Sequence, residues 1–361
     1  MATNANVDLM NQGSGVGDVA QRLISMGKMD AGRLRPFIGM DGQIYCTVYK
    51  GGDRTKPENY STIQVNADGT LRRDEWKRLD DAVIGIAEKR LVGIGDLTSR
   101  GLIYSLGNGL GTTVLESHDV GDAMDAELSM DAVQRVKGDR PEYGTNYLPL
   151  PIIHSGYEIN ERVLQTSRNM GNALDVTSAE RAARKVAEKL ESLLFTNTSY
   201  AYGGGVIYSY INFPSRIPAT LGTAWDDVSV DGEDIVAKVL EMKQAAIDNH
   251  RFGPFVLYIP TAYETKMDAD YDKTTPGTTI KERILKIANI NDLKVVDTLP
   301  DDNVLLVQMT SDVVRLVQGM PLQNVQWKSE GGFVNHFKVL TIQVPQIRTS
   351  QGQLTGIVHA A

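Results

Sequence analysis

Apolar residues recur with a helical period in several segments of the chain and in short, strand-like runs over much of the rest. Across 74–91, Trp76, Leu79, Val83, Ile84, Ala87 and Leu91 fall on one face of a helix. Asp74 and Glu75 at its start and Lys89 and Arg90 at its end complement the helix dipole. Across 178–195, Ala179, Ala182, Ala183, Val186, Ala187, Leu190, Leu193 and Leu194 make one continuous apolar stripe. Thr177 and Glu180 before it have capping-box spacing, and Glu180, Arg184 and Glu188 line the opposite side at i,i+4. This helix is expected to be the rigid backbone of the molecule.

A third amphipathic helix is predicted over 233–248, with short helices over 261–269 and 279–289. The run from Phe255 to Ile259 reads as a buried strand, and 293–296, 304–307 and 313–317 as further short strands. This alternation predicts a mixed α/β region from about 205 to 330. Two later strands, 337–344 and 353–359, are expected to return to the earlier part of the chain. Upstream, 147–164 is strand-like, with Leu148, Leu150 and Ile152 alternating and two prolines that favour an edge. Asp41-Gly42 between two apolar stretches signals a hairpin within 35–49. Residues 1–32 read as a glycine-interrupted arm, and 93–113 as a glycine-rich link. Residues 114–146 form a long polar stretch that fits a protruding two-stranded loop. Compact domains seldom carry such a connection without a use for it.

Composition narrows the classes. The 361 residues suffice for about two domains or one large one. Charged residues make up 23% and hydrophobic ones 42%, the balance of a soluble globular protein. The single cysteine, Cys46, excludes an internal disulfide framework and a multi-cysteine zinc site, and a place in the hairpin suits it as a small hydrophobe. There is no run of the ~18–20 apolar residues that a membrane helix needs, and the polar start MATNANVDLM has no signal-peptide core. A cytoplasmic, reducing setting is the simplest expectation. The 45 acidic residues outnumber the 37 basic ones for a formal charge of −8, which argues against a basic nucleic-acid binder. Only the 20–60 segment is mildly positive.

Chemistry-bearing motifs are sparse. Gly13-x-Gly15-x-Gly17 and Gly107-x-Gly109-x-Gly111 lack the spacing of a nucleotide loop between strand and helix. Asp268, Asp270 and Asp272 begin like a calcium loop, but Lys273 stands where the glycine is needed and Thr279 where the acid is needed, so a solvated turn is expected. The histidines at 118, 154, 250, 336 and 359 have no metal-ligand spacing, and a hydrogen-bonded structural role is expected for His154. No cofactor, no metal and no catalytic residue is therefore assigned.

Taken in order, several landmarks resemble the major capsid proteins of tailed phages with the Hong Kong 97-like fold, and most closely their encapsulin-like branch. They are the helix with Glu75-Trp76 and Asp80, the glycine-rich 93–111, the loop 114–146, Leu148-Pro-Leu-Pro-Ile-Ile-His, Tyr157-Glu-Ile-Asn-Glu-Arg, the helix from Ala179 to Phe195, and Gly253-Pro-Phe-Val-Leu-Tyr-Ile-Pro. The resemblance covers about 70–361. It implies an α+β fold with an N-terminal arm and hairpin extension (1–70), an N-terminal helix and link (71–113) and an extended E-loop (114–146). A peripheral domain with its spine helix (147–204), an axial domain (205–332) and C-terminal strands returning to the peripheral domain (333–361) would follow.

Function is implied likewise. The chain would be a non-enzymatic, self-assembling major capsid protein, a homo-oligomer forming pentamers and hexamers of an icosahedral phage head assembled in the bacterial cytoplasm. It would enclose double-stranded DNA without sequence preference and have a portal, and scaffold or cement proteins, as partners. The alternatives are an encapsulin shell carrying a cargo enzyme and an unrecognised α/β enzyme in 205–330. The extra residues 1–70 favour the phage head. Lys137, Arg140, Glu142 and Tyr143 in the loop are the candidate inter-subunit residues. Some members of the family cross-link a loop lysine to a neighbour's asparagine with the help of a glutamate. Lys137 lies in the corresponding loop, but no Asn and Glu here match that pattern.

Overall fold

A computed structural model describes residues 37–39, 43–49, 56, 59–64, 73–107, 109–120, 130, 143–169, 176–271, 277–349 and 354–361. The arm 1–32 lies outside the described residues. Three strands, β1 (Phe37–Ile38), β2 (Ile44–Tyr49) and β3 (Tyr60–Gln64), form a small antiparallel sheet. Phe37 pairs with Tyr45 across the expected hairpin, whose closing bond runs from Gly39 N to Gln43 O at 2.8 Å. Cys46 stands on β2 opposite Ile63.

The first periodic segment is α1 (Arg73–Arg90), which buries Trp76, Leu79 and Val83. Where a glycine-rich link was expected, a second helix, α2 (Val92–Ser99), contains Gly93 and Gly95. Gly93 is there because the ring of Phe195 lies against it; a Cβ would come within 2.5 Å of the ring. Close packing outweighs the poor helix propensity of glycine. Strand β4 (Ile103–Ser105) follows, then β5 (Val114–Val120) and β6 (Tyr143–Pro149), which pair antiparallel as a two-stranded ribbon. Strand β7 (Ile153–Asn160) ends earlier than the sequence pattern suggests. Glu161 starts helix α3 (Glu161–Asn169), which turns Leu164 into the core. His154 is exposed on β7, contrary to the expected structural role.

Helix α4 (Thr177–Phe195) carries the predicted stripe, every member of it buried. The expected capping box is absent: Val176 is the N-cap and makes no side-chain cap bond, and Glu180 N donates to Val176 O. On the outer side Lys185 pairs with Glu188 at 2.8 Å. Next come the hairpin β8 (Tyr200–Tyr202) and β9 (Gly205–Ile207), then β10 (Ile217–Ala219) and α5 (Gly232–Asp248). Strand β11 (Phe255–Pro260), short helices α6 (Glu264–Met267) and α7 (Ile280–Leu285), and strands β12 (Ile290–Val296) and β13 (Val304–Gln308) complete the predicted alternation. Asp268 and Asp270 are exposed, as a solvated turn requires.

Strands β14 (Val314–Ser329) and β15 (Val334–Ile347) form one long antiparallel hairpin that turns at 330–333. The hairpin lies between β4 and β7 in the order β4-β14-β15-β7. The final strand β16 (Ile357–Ala360) does not return to that sheet. It inserts between β10 and β13 in the five-stranded order β10-β16-β13-β11-β12. All four of its residues are buried, which a strand with neighbours on both edges and layers on both faces satisfies.

The five-stranded sheet separates two cores. Phe255, Leu257, Ile259 and Leu306 face α5 and α7 on one side. Val256, Tyr258, Leu305 and Val307 face α2 and the C-terminal end of α4 on the other. The N-terminal half of α4 packs with α1 and α3 on the four-stranded sheet, through Ala183, Val186, Trp76, Leu164, Phe337 and Val339. Helix α4 therefore runs from one sheet to the other.

Candidate assembly surfaces and the polar joint between the cores

The β5–β6 ribbon keeps strict register from Val114↔Pro149 to Val120↔Tyr143. Tyr143 thus sits at the far end of the ribbon. Lys137, Arg140 and Glu142 lie outside the described residues. Between the strands only Met130 is described, and it is fully exposed. The base of the ribbon is fastened to the body. Gln346 Nε2 donates to Ser117 Oγ at 3.2 Å. Gly205 packs so tightly on Tyr147 that a Cβ there would collide with the Tyr147 backbone. An open cleft of about 350 Å³ beside this base is lined by Tyr147, Gly205, Phe213, Pro214, Gln346 and Arg348 among others.

Large apolar side chains are exposed on several elements. Tyr104, Leu110, Tyr147, Ile152, Tyr200 and Tyr202 are all exposed. The Arg315 guanidinium lies over the Tyr104 ring at 4.3 Å.

Helices α4 and α2 and strands β11 and β12 meet at buried charge. Glu191 of α4 is 1% exposed. Its carboxylate accepts from Gly93 N at 2.6 Å and from Ile94 N at 3.5 Å, the unsatisfied N–H groups that open α2. Burial pushes its pKa up to about 7 against the pull of those N–H groups, and the Asp297 carboxylate adds to the rise. Asp96, 2% exposed, accepts from Tyr258 Oη at 2.8 Å and is bridged by Arg100 at 2.9 Å and Lys294 at 3.2 Å. The hydroxyls of Tyr258 and Tyr210 are pushed well above their ordinary range, chiefly by burial. Among the described residues the Tyr210 hydroxyl has no hydrogen-bond partner. The two helices lie on one side of the five-stranded sheet, and the joint bonds them to each other and to that sheet through buried groups that are not open to substrate.

A second buried polar group closes the C-terminus. His359 Nε2 faces Asn303 Oδ1 at 2.7 Å, and Arg216 Nε donates to Nδ1 at 3.2 Å. This arrangement holds the ring neutral. Burial, and then the Arg216 charge, lower its pKa to about 4.

The glycine motifs resolve into packing. At Gly109 a Cβ would collide with the backbone of Gly319 in β14, whereas nothing lies near Gly107. The first motif, 13–17, and Asp272 lie outside the described residues. Among the described residues no group of three or more His, Cys, Asp and Glu is placed to hold a metal ion. None of the described helices is long and apolar enough to cross a membrane. Sequence reasoning missed Asp96 and Glu191. A signal for Glu191 exists: with Ala187, Leu190 and Leu194 it falls at i, i+3, i+4, i+7, inside the apolar stripe.

The profile of a family of unknown function (DUF6260) matches residues 66–360. The type 1 encapsulin shell protein EncA of Myxococcus xanthus is 24% identical over 218 residues, which are 58% of this chain and 68% of that protein. Among solved structures, the virus-like particle from Pyrococcus furiosus superposes with a TM-score of 0.58 at 17% identity, covering 79% of this chain and 99% of that one. The capsid of Myoviridae phage XM1 gives 0.56 at 10% identity over 73% and 91%. The fold is the Hong Kong 97-like capsid fold.

Proposed function

The chain belongs to DUF6260, a family of unknown function, and we propose that it is a structural protein, not an enzyme, whose copies close into an icosahedral shell. The observation that carries this reading is the fold it has in common with a capsid and a virus-like particle. The ribbon β5–β6, a sheet of two strands fastened to the body at its base, supports it. A lone ribbon of two strands is marginal in water and gains stability when a neighbour covers it.

Within that class we favour a phage or prophage major capsid protein built of pentamers and hexamers, enclosing double-stranded DNA and assembled in a bacterial host with portal, scaffold or cement proteins. Residues 1–65 precede the family match and supply an arm and hairpin for tying neighbours together. A net charge of −8 suits a container whose wall does not pin its contents through phosphate contacts. In this reading 147–204 is the core of a peripheral domain, the five-stranded sheet is the axial domain, and 114–146 is the E-loop. Lys137, Arg140, Glu142 and Tyr143 contact a neighbouring subunit. The similarity to EncA favours a second reading, a nanocompartment shell loaded with a cargo protein.

Electron microscopy of the purified protein, with its absorbance ratio at 260 and 280 nm before and after nuclease, tests the proposal. Closed shells with nuclease-protected DNA from the native source are expected. Small nucleic-acid-free shells holding a second protein would select the compartment. A species that stays monomeric with and without co-expressed neighbouring genes would overturn both.

A further inference from the structure

The pleat of the four-stranded sheet sends Phe337, Val339 and Asn335 of β15 to the buried face and leaves His336 and Lys338 half-exposed on the other. His336 stands directly between two cross-strand neighbours, Trp327 of β14 and Glu158 of β7. Ser329 lies two residues beyond Trp327, on the same face and diagonal to His336. The resulting contacts are ordered. Ser329 Oγ is 2.5 Å from His336 Nε2, and His336 Nδ1 is 3.1 Å from Glu158 Oε1. The imidazole is stacked on the Trp327 indole, with centroids 5.3 Å apart and planes at 11°.

With Glu158 ionised and the His336 ring neutral, the positions of the protons follow. An ionised carboxylate can only accept, so Nδ1 carries the proton and donates it to Glu158. Nε2 of the neutral ring is then bare and accepts from the Ser329 hydroxyl. This is the order nucleophile, base, orienting carboxylate, with the ring clamped by an aromatic face. Immediately after Ser329 the chain turns through Gly331 (φ 65°) and Gly332 (φ 90°), where a Cβ would meet nothing within 4 Å.

We propose that Ser329, with His336 as base and Glu158 as orienting group, is an activated nucleophile and a site of covalent acylation by small activated esters. The Ser329 Oγ–acyl carbon bond forms as His336 takes the hydroxyl proton. The bond from the acyl carbon to the leaving oxygen then breaks, and His336 returns the proton to that oxygen. The products are an acylated Ser329 and one alcohol, with no oxidant or metal involved. The face is open, so small reactive esters fit it better than an extended substrate that needs an enclosing pocket. The inference is independent of the shell reading, since every group in it belongs to one chain.

The test uses the full chain and two probes: a fluorophosphonate, with its adduct mapped by peptide mass spectrometry, and p-nitrophenyl acetate, read as released p-nitrophenolate. A fluorophosphonate adduct on Ser329 and a burst of one equivalent of p-nitrophenolate per chain are expected. Ser329→Ala abolishes both. His336→Gln lowers the labelling rate at least tenfold, and Glu158→Gln lowers it by a smaller factor, while circular dichroism shows each variant folded. Absence of an adduct on Ser329, or an adduct whose rate His336→Gln leaves unchanged, would overturn the proposal.

Discussion

Replacing Glu191 by Gln removes a charge from the joint between α4 and α2 and keeps an oxygen able to accept from Gly93 N, now 2.6 Å from the carboxylate. The carboxylate's pKa is pushed up from an ordinary 4.5 to about 7 in the folded chain. That gap corresponds to about 3 kcal/mol at roughly 1.4 kcal/mol per pH unit. Because the folded value lies above the unfolded one, the stabilisation from a protonated Glu191 is fully present below pH 4.5. It is lost as the pH rises through about 7. The glutamine variant has no such loss. It also carries a buried amide N–H₂ whose desolvation costs ~1–3 kcal/mol at every pH, so its stability at one pH decides nothing. The informative quantity is the change in stability on mutation at pH 8 minus that at pH 4.5, in which the constant cost cancels. The variant is expected to gain about 3 kcal/mol on the wild type between the two conditions. Urea unfolding of unassembled subunits, followed by circular dichroism at a fixed low concentration, measures it without the mass-action contribution of assembly. Parallel pH profiles for wild type and variant would refute the assignment of a buried, proton-linked carboxylate at this joint.

His359 titrates in the opposite sense. Its folded pKa of about 4 lies below the ordinary 6.5, so its contribution is present above pH 6.5 and is lost as the pH falls through 4. His359→Gln should flatten the acid limb of the stability curve, and an unchanged limb would show that the ring is not held neutral. Gly109→Ala, which forces a Cβ into the Gly319 backbone, should destabilise by about 3 kcal/mol or more, whereas Gly107→Ala, with open space around it, should leave the melting temperature nearly unchanged. Equal melting temperatures for the two variants would remove the close-approach explanation. Deleting residues 1–32 should leave the subunit folded and reduce shell yield or shell melting temperature; shells of unaltered yield and stability would exclude a tying role for the arm. Arg140→Glu should likewise lower shell yield without changing the circular dichroism of the subunit, and an unaffected yield would take Arg140 out of the inter-subunit contact.

What the chain's own order of residues determined is whatever depends on neighbours within a few positions. The 3.6-residue recurrence of Trp76, Leu79 and Val83, and of the alanines and leucines from Ala179 to Leu194, was enough to place α1 and α4 within a residue or so of their ends. The run from Phe255 to Ile259 was legible as a buried strand, since it has no polar side, and the strand runs one residue further, to Pro260. Register and turn signals anticipated the β1–β2 hairpin, and length with polarity anticipated the β5–β6 ribbon.

Only the tertiary structure decided the features made by residues far apart. Helix α2 exists because Phe195 and Glu191, about a hundred positions away, cover Gly93 and receive its N–H. The hairpin β14–β15 joins the β7 sheet, and β16 fills the gap between β10 and β13, because sheet order is set by which edges remain open, and local pattern carries no record of that. Glu191 and Asp96 read as ordinary acids until α4 and β11 bring them together with Tyr258, Lys294 and the start of α2. The alternation of β7, β14 and β15 fixes which face each side chain takes, yet it is the pairing of the three strands that sets Ser329, His336 and Glu158 in line. Local propensity is short-ranged, whereas burial, charge compensation and strand pairing are properties of the closed fold.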